Sequence, residues 1–146
     1  MLSVMRISAG YFETLKVQPQ LGRWFRESEE KRGMPNVVIL SDSLWRRAFS
    51  ARPDIIGKTI RINDAPYEVV GVTPSDFRFL RNPELQPAIW MPERADVFTP
   101  IRFTALELQG SLAYPGAYVA IARLKPGITP EQAQGELDST LSSIRE

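Results

Sequence analysis

Lys58-Thr59-Ile60-Arg61-Ile62-Asn63-Asp64-Ala65-Pro66-Tyr67-Glu68-Val69-Val70 is the stretch that decides the fold, because it carries the clearest β signal in the chain. Lys58 to Ile62 and Tyr67 to Val70 read as strands, rich in β-branched and aromatic residues. Asn63 to Pro66 joins them, and Asn and Asp tolerate the left-handed or turn geometry a hairpin needs. Gly57 and Gly71 bound the unit. Upstream, Val37 to Leu40 is a compact β-branched run that predicts a buried strand. Ser41 follows as an N-cap with Asp42 near the helix dipole, opening a helix with an apolar stripe of Leu44, Trp45, Ala48 and Phe49 that Pro53 ends.

Further towards the N-terminus, Ser8 caps a short helix whose Tyr11, Phe12 and Leu15 share one face, stopped by Gln18-Pro19-Gln20. Leu21 to Phe25 then leads into the mixed-sign run Arg26 to Arg32, a solvated loop or helix end. Downstream, Pro74, Pro83, Pro87, Pro92 and Pro100 interrupt every periodic pattern. Thr73 to Gln86 is therefore expected to link two lobes. Ala88 to Met91, carrying Trp90, and Tyr118 to Leu124 read as strands; Leu106 to Gly116 has no strong period and is expected to be mobile. The last segment is a helix: Lys125-Pro126-Gly127 turns, Thr129 caps, Pro130 takes the first helical position and Gln132 completes a capping box. Ala133, Leu137, Leu141 and Ile144 would be its buried stripe.

Composition restricts the chemistry. The chain has 146 residues, 43% hydrophobic and 24% charged, one domain by default and large enough for a real core. There is no Cys, so no disulfide forms, and the redox compartment is left open. Lys and Arg number 18 against 17 Asp and Glu, a net +1 that is too balanced for a general polyanion binder. Zero His removes the Ser-His-Asp triad, the Cys-His dyad and imidazole metal sites. The longest apolar runs, Val37 to Leu40 and Val119 to Ala122, fall far below the ~18 to 20 residues that span a bilayer. Met1 to Arg6 lacks the form of a secretory signal, so the chain is either cytosolic or an excised piece of something larger.

Candidate sites reduce to surface chemistry. Arg46, Arg47, Arg52, Lys58 and Arg61 could bind phosphate or acidic lipid, but the two helical arginines lie on a polar face that solvation alone explains. Glu27, Glu29 and Glu30, and the scattered Asp76, Glu84, Glu93 and Asp96, read as hydrated loop carboxylates, not as a paired acid and base. No calcium loop, dinucleotide fingerprint or P-loop is present. Trp24, Trp45 and Trp90 read as core anchors more than as stacking platforms. No catalytic, cofactor-binding or metal-binding residue is assigned.

The order of motifs adds more than any one of them. "SAGYFETLKVQPQLGRWF" (Ser8 to Phe25), "NVVILSDSLWRRAF" (Asn36 to Phe49), "DIIGKTIRINDAPYEVVGVTPSDFRF" (Asp54 to Phe79), "IWMP" (Ile89 to Pro92) and "ARLKPGITPEQAQGELD" (Ala122 to Asp138) together resemble the MacB-like periplasmic core domain of FtsX-like ABC transporter permeases, in the duplicated form described from acidobacteria. The resemblance implies an α+β fold of short mixed sheets with packed helices in two small lobes: an inserted α/β lobe over residues 1–82, and over 83–146 the returning segment of a porter-like lobe that ends in a helix. It also implies an N-terminal truncation, since the family's first porter strand, helix and membrane helix would precede Met1.

By the same resemblance the domain is not an enzyme and needs no cofactor. It would lie on the periplasmic face of the cytoplasmic membrane, anchored by transmembrane helices absent from this chain. Its role would be to couple a cytoplasmic ATPase cycle to export or to envelope partners. The implied partners are the rest of the permease with its second half, the ATP-binding subunit indirectly and a periplasmic adaptor; nucleic acid is not among them. An extracytoplasmic small-molecule or peptide binding module, with a cleft between lobes, is the alternative, and a carboxylate hydrolase trails behind.

Overall fold

A computed structural model describes residues 2–78, 94–110 and 118–144. Its centre is Val37–Leu40 (β3), buried at every position because the strand is covered on both faces. Alternation sends Val38 and Leu40 to one side, where they pack with Leu44 and Trp45, and Val37 and Ile39 to the other, where they pack with Phe12 and Phe98. The hairpin partner Ala65–Val72 (β5) runs parallel to β3 on one flank, and Val97–Pro100 (β6) runs antiparallel on the other. Val4–Ile7 (β1) lies parallel to β6 and ends the sheet on that side. Along the other edge of β5, Thr59–Ile62 (β4) and then Leu21–Gly22 (β2) pair in turn, completing six strands.

The hairpin is tighter than expected. Asn63 and Asp64 alone make the turn, both with positive φ (48° and 64°), and Ala65 and Pro66 already belong to β5. Where β2 meets β5, Gly22 faces Gly71. A Cβ on Gly71 would stand 2.3 Å from the Arg23 carbonyl oxygen, and one on Gly22, whose φ is +73°, 2.2 Å from that of Val70. Only glycine permits this approach.

Asp42–Phe49 (α2) covers one face, with the Ser41 hydroxyl accepting from the Leu44 N–H as the sequence predicts. Its stripe is narrower than expected: Leu44 and Trp45 are buried, whereas Ala48 is exposed. The helix stops before Pro53 because Ser50 and Ala51 turn left-handed, and the Trp45 indole N–H donates to the Arg52 carbonyl across that turn. On the opposite face sits Tyr11–Thr14 (α1), preceded by Gly10 at the capping position. Ser8 acts there through its backbone carbonyl, which accepts from the Tyr11 N–H, and not through the hydroxyl expected to cap. Trp24 stacks on Phe12 at 3.9 Å between ring centroids and donates its indole N–H to the Val17 carbonyl.

Several expectations need correction. The strand β1 has no counterpart in the sequence reading; its burial is partial, and the pattern of four residues is too short to stand out. Arg26 to Arg32 is not simply solvated, since a 3-10 turn over Glu27–Glu30 buries Glu29. Ala105–Gly110 (α3) is helical where the sequence shows no strong period, and residues 111–116 of that expected stretch lie outside the described residues. Residues 118–124 form no strand, because no ladder partner lies beside them among the described residues. Pro130–Ile144 (α4) has its expected capping box, Thr129 and Gln132 exchanging hydrogen bonds of 2.9 and 3.3 Å, but Leu137 and Leu141 lie open to solvent. The Ala88–Met91 strand with Trp90, and Glu84 and Glu93, lie outside the described residues. The expected mixed α+β architecture is present: among the described residues the strands join in one mixed sheet, which β6 enters between β1 and β3.

Candidate interaction surface

The charges placed in the sequence as candidate sites are mostly occupied with one another. The Arg46 Nε–H is shared between the two carboxylate oxygens of Asp42, one helical turn away, at 2.9 and 3.0 Å, and the guanidinium lies over the Trp45 ring. Arg47 reaches Asp96, Arg52 pairs with Asp54, and Arg61 donates to the Asp64 carbonyl. The basic series is thus broken into local pairs and does not present a cationic field.

The carboxylates do structural work. Glu29, only 7% exposed, accepts two hydrogen bonds from the Arg23 guanidinium at 2.7 and 3.0 Å and one from the Arg26 N–H at 2.8 Å. Burial pushes its carboxyl up, yet these donors outweigh burial and hold it below the ordinary carboxylate range. Glu30 accepts from the Ala9 N–H, and Asp96 from the Ser3 N–H at 3.0 Å. Arg102, which the sequence reading passed over, donates to the Glu29 and Pro35 carbonyls and to the Asn36 amide oxygen, so it staples the 29–36 loop to the end of β6. An arginine one turn past a strand gives no sequence signal of such a role. Among the described residues no three acidic side chains gather to hold a metal.

A hollow of about 450 Å³ lies beside the start of α2, lined among others by Ser41, Asp42, Thr73, Phe77 and Arg78. Two of its polar groups are engaged within the fold: the Thr73 hydroxyl accepts from the Asp42 N–H, and the Thr73 carbonyl accepts from the Gln20 amide.

The unusual surface is apolar. Among the described residues, the large apolar side chains that stand exposed, apart from Met34, lie at Leu2 and Val4 or between Phe103 and Leu141. Leu108 is 67% exposed, Leu137 53% and Leu141 44%. Within this region one polar knot is built. The Arg6 guanidinium donates to Glu107 at 2.8 Å, the Tyr118 hydroxyl donates to the same oxygen at 2.6 Å, and the Thr104 N–H donates to the other at 2.7 Å. Arg6 above all, then Tyr118 and Thr104, hold the Glu107 carboxyl far below its ordinary range, while the carboxylate pushes the Tyr118 hydroxyl up. The Tyr118 ring also packs edge-on against Phe103.

The described residues form a mixed α/β body with a buried central strand, joined to a segment with exposed apolar side chains. Residues 2–140 match the family model of the MacB-like periplasmic core domain, and the chain belongs to that family, the periplasmic domains of MacB-like ABC transporter permeases. It is 26% identical over 86 residues to the macrolide export ATP-binding/permease protein MacB of Shigella dysenteriae serotype 1 (strain Sd197), covering 59% of this chain and 13% of that protein. Its fold is similar to the periplasmic region of MacB from Actinobacillus actinomycetemcomitans, with a TM-score of 0.56 at 17% identity over 97% of this chain and 56% of that one. The chain therefore spans a minor part of the export protein and about half of the solved periplasmic region. No helix among the described residues is long and apolar enough to cross a membrane.

Proposed function

We propose that this chain is a non-catalytic domain on the periplasmic side of an ABC-type permease, coupling the cycle of a cytoplasmic ATPase to export or to envelope partners. In this reading it transmits movement. Transmission needs a rigid body, which the doubly covered sheet with its Trp24 and Trp45 anchors supplies, and a surface that engages something else. The observation that supports the reading is that, among the described residues, the exposed large apolar side chains other than Met34 fall at Leu2, Val4 and residues 103–141, and exposed apolar surface concentrated in one stretch favours an interface. Its partners would be the membrane-embedded remainder of the permease and its second half, with the ATP-binding subunit acting indirectly and an adaptor docking from the periplasm.

In this reading residues 1–82 form the inserted lobe and 83–146 the returning porter-like segment, whose β6 adds a strand to the sheet of the first. Anchoring would come from transmembrane helices outside this chain.

The test is made in the complete transporter. Replacing Leu137 and Leu141 together by arginine should abolish export while the same change in this chain alone leaves its melting temperature where it was. Full export from a normally expressed variant would sink the reading. Trp45→Ala should also reduce export by loosening the rigid body; unchanged folding together with unchanged export would remove the relay argument.

A further inference from the structure

Between the knot at Glu107 and the capping turn at Thr129, residues 118–124 run without helix or strand. They are held at two points. At one end Tyr118 is tied to Glu107, and through it to Arg6 of β1. At the other, the Arg123 guanidinium donates twice to the Thr14 carbonyl at the end of α1, at 2.8 and 3.1 Å. Val119, between these points, is exposed. Among the described residues these are the polar contacts that join residues 118–144 to the sheet body.

The two anchors lie on different sides of β1. Met5 and Ile7 pack into the cluster beneath α1, so Arg6, one residue out of phase, faces the other way, whereas Thr14 belongs to α1 itself. The chain thus passes from one side of the terminal strand to the other, fastened by side chains with no backbone ladder. We propose that residues 118–124 are a releasable strap that sets where α4 stands relative to the sheet. All its ties are solvent-exposed, and exposed ion pairs and hydrogen bonds contribute little each, so the strap opens far more readily than the sheet unfolds. With Leu137 and Leu141 exposed, these two leucines contribute little packing to hold α4 when the strap lets go.

Trypsin reads this opening on the chain by itself, so the result does not depend on the permease reading. Between 118 and 144 the basic residues are Arg123 and Lys125, and Lys125 precedes Pro126, which blocks cleavage. The Arg123–Leu124 bond is then the one cleavable site there, and the protease needs the Arg123 side chain that the strap holds on Thr14. Cleavage at the exposed Arg32–Gly33 bond serves as the internal reference. Glu107→Gln keeps a side chain able to serve the Thr104 capping box but removes the charge, and Tyr118→Phe keeps the ring on Phe103 but removes the hydroxyl.

Each variant should raise the ratio of cleavage at Arg123–Leu124 to that at Arg32–Gly33 about two- to fivefold. Raising salt from ~0.01 to ~1 M should raise it in the wild type and leave Glu107→Gln nearly unchanged. Equal ratios in the wild type and both variants at both salt concentrations overturn the strap. Acceleration of both bonds together in Glu107→Gln would assign that residue to global stability and count against the proposal, leaving Tyr118→Phe, which touches no backbone cap, to decide it.

Discussion

The sheet body and the segment from Phe103 to Ile144 use similar residues to opposite ends. In the body, Val38, Ile39 and Leu40 are fully buried because elements cover both faces of β3, and aromatic rings of Phe12, Phe77 and Phe98 meet edge to face at 5.3 to 6.0 Å. In the C-terminal segment, Leu108, Leu137 and Leu141 have the same hydropathy but stand 67%, 53% and 44% exposed. Amphipathic pattern therefore tells which face of an element is made for contact, not that the contact lies in the same stretch of chain.

The difference predicts a steep gradient in mutational cost. Phe98→Ala should lose about 3 to 5 kcal/mol, enough to unfold most of the population, because a 1% exposed ring leaves a cavity between two covered faces. Denaturant titration followed by tryptophan fluorescence would measure it, and a loss below ~1 kcal/mol would show that the body is loosely packed. Gly71→Ala should follow at about 2 to 3 kcal/mol, since its Cβ meets the Arg23 backbone, which has no flexible end to move aside.

Polar ties in the body come next. Glu29→Gln should lose about 1 to 3 kcal/mol, as a buried acceptor of guanidinium and backbone donors loses its charge. The sign with pH follows from the direction of its shift. A carboxyl depressed in the folded protein contributes stability in full above the unfolded value of ~4.3, and that contribution drains away as pH falls through the folded value. Thermal melts between neutral and acid pH should show Glu29→Gln losing less on acidification than the wild type; parallel curves would show that Glu29 is not the group responsible. Ser41→Ala, which removes the cap from α2, should cost about 1 kcal/mol in the same measurement.

Legibility followed the same divide. Val37 to Leu40, the Ser41 cap and the β4–β5 hairpin were readable because propensity, capping and turn chemistry agree locally with the sheet they enter. The strand β1 was not, since Val4 to Ile7 becomes a strand through pairing with β6, more than ninety residues on. The role of Glu29 was equally hidden: a charged run reads as solvated until Arg23 is seen to fold back over it. In the C-terminal segment, Tyr118 to Leu124 has strand composition without a strand beside it, and the Glu107 knot joins three separated stretches that no spacing connects.

The smallest expected effect is the most discriminating for the comparison. Leu137→Ser with Leu141→Ser should change the stability of this chain by no more than ~0.5 kcal/mol, because both side chains are about half exposed and neither belongs to a buried cluster. Removing the single leucine of α2 would cost several times that, since Leu44 is 4% exposed. Serine also lowers helix propensity slightly, so any loss should appear as fraying of α4 by circular dichroism and not as a shift of the main transition. A cooperative loss of 2 kcal/mol or more, on the order of a core truncation, would mean that α4 packs on the sheet in solution and that the two regions are one body.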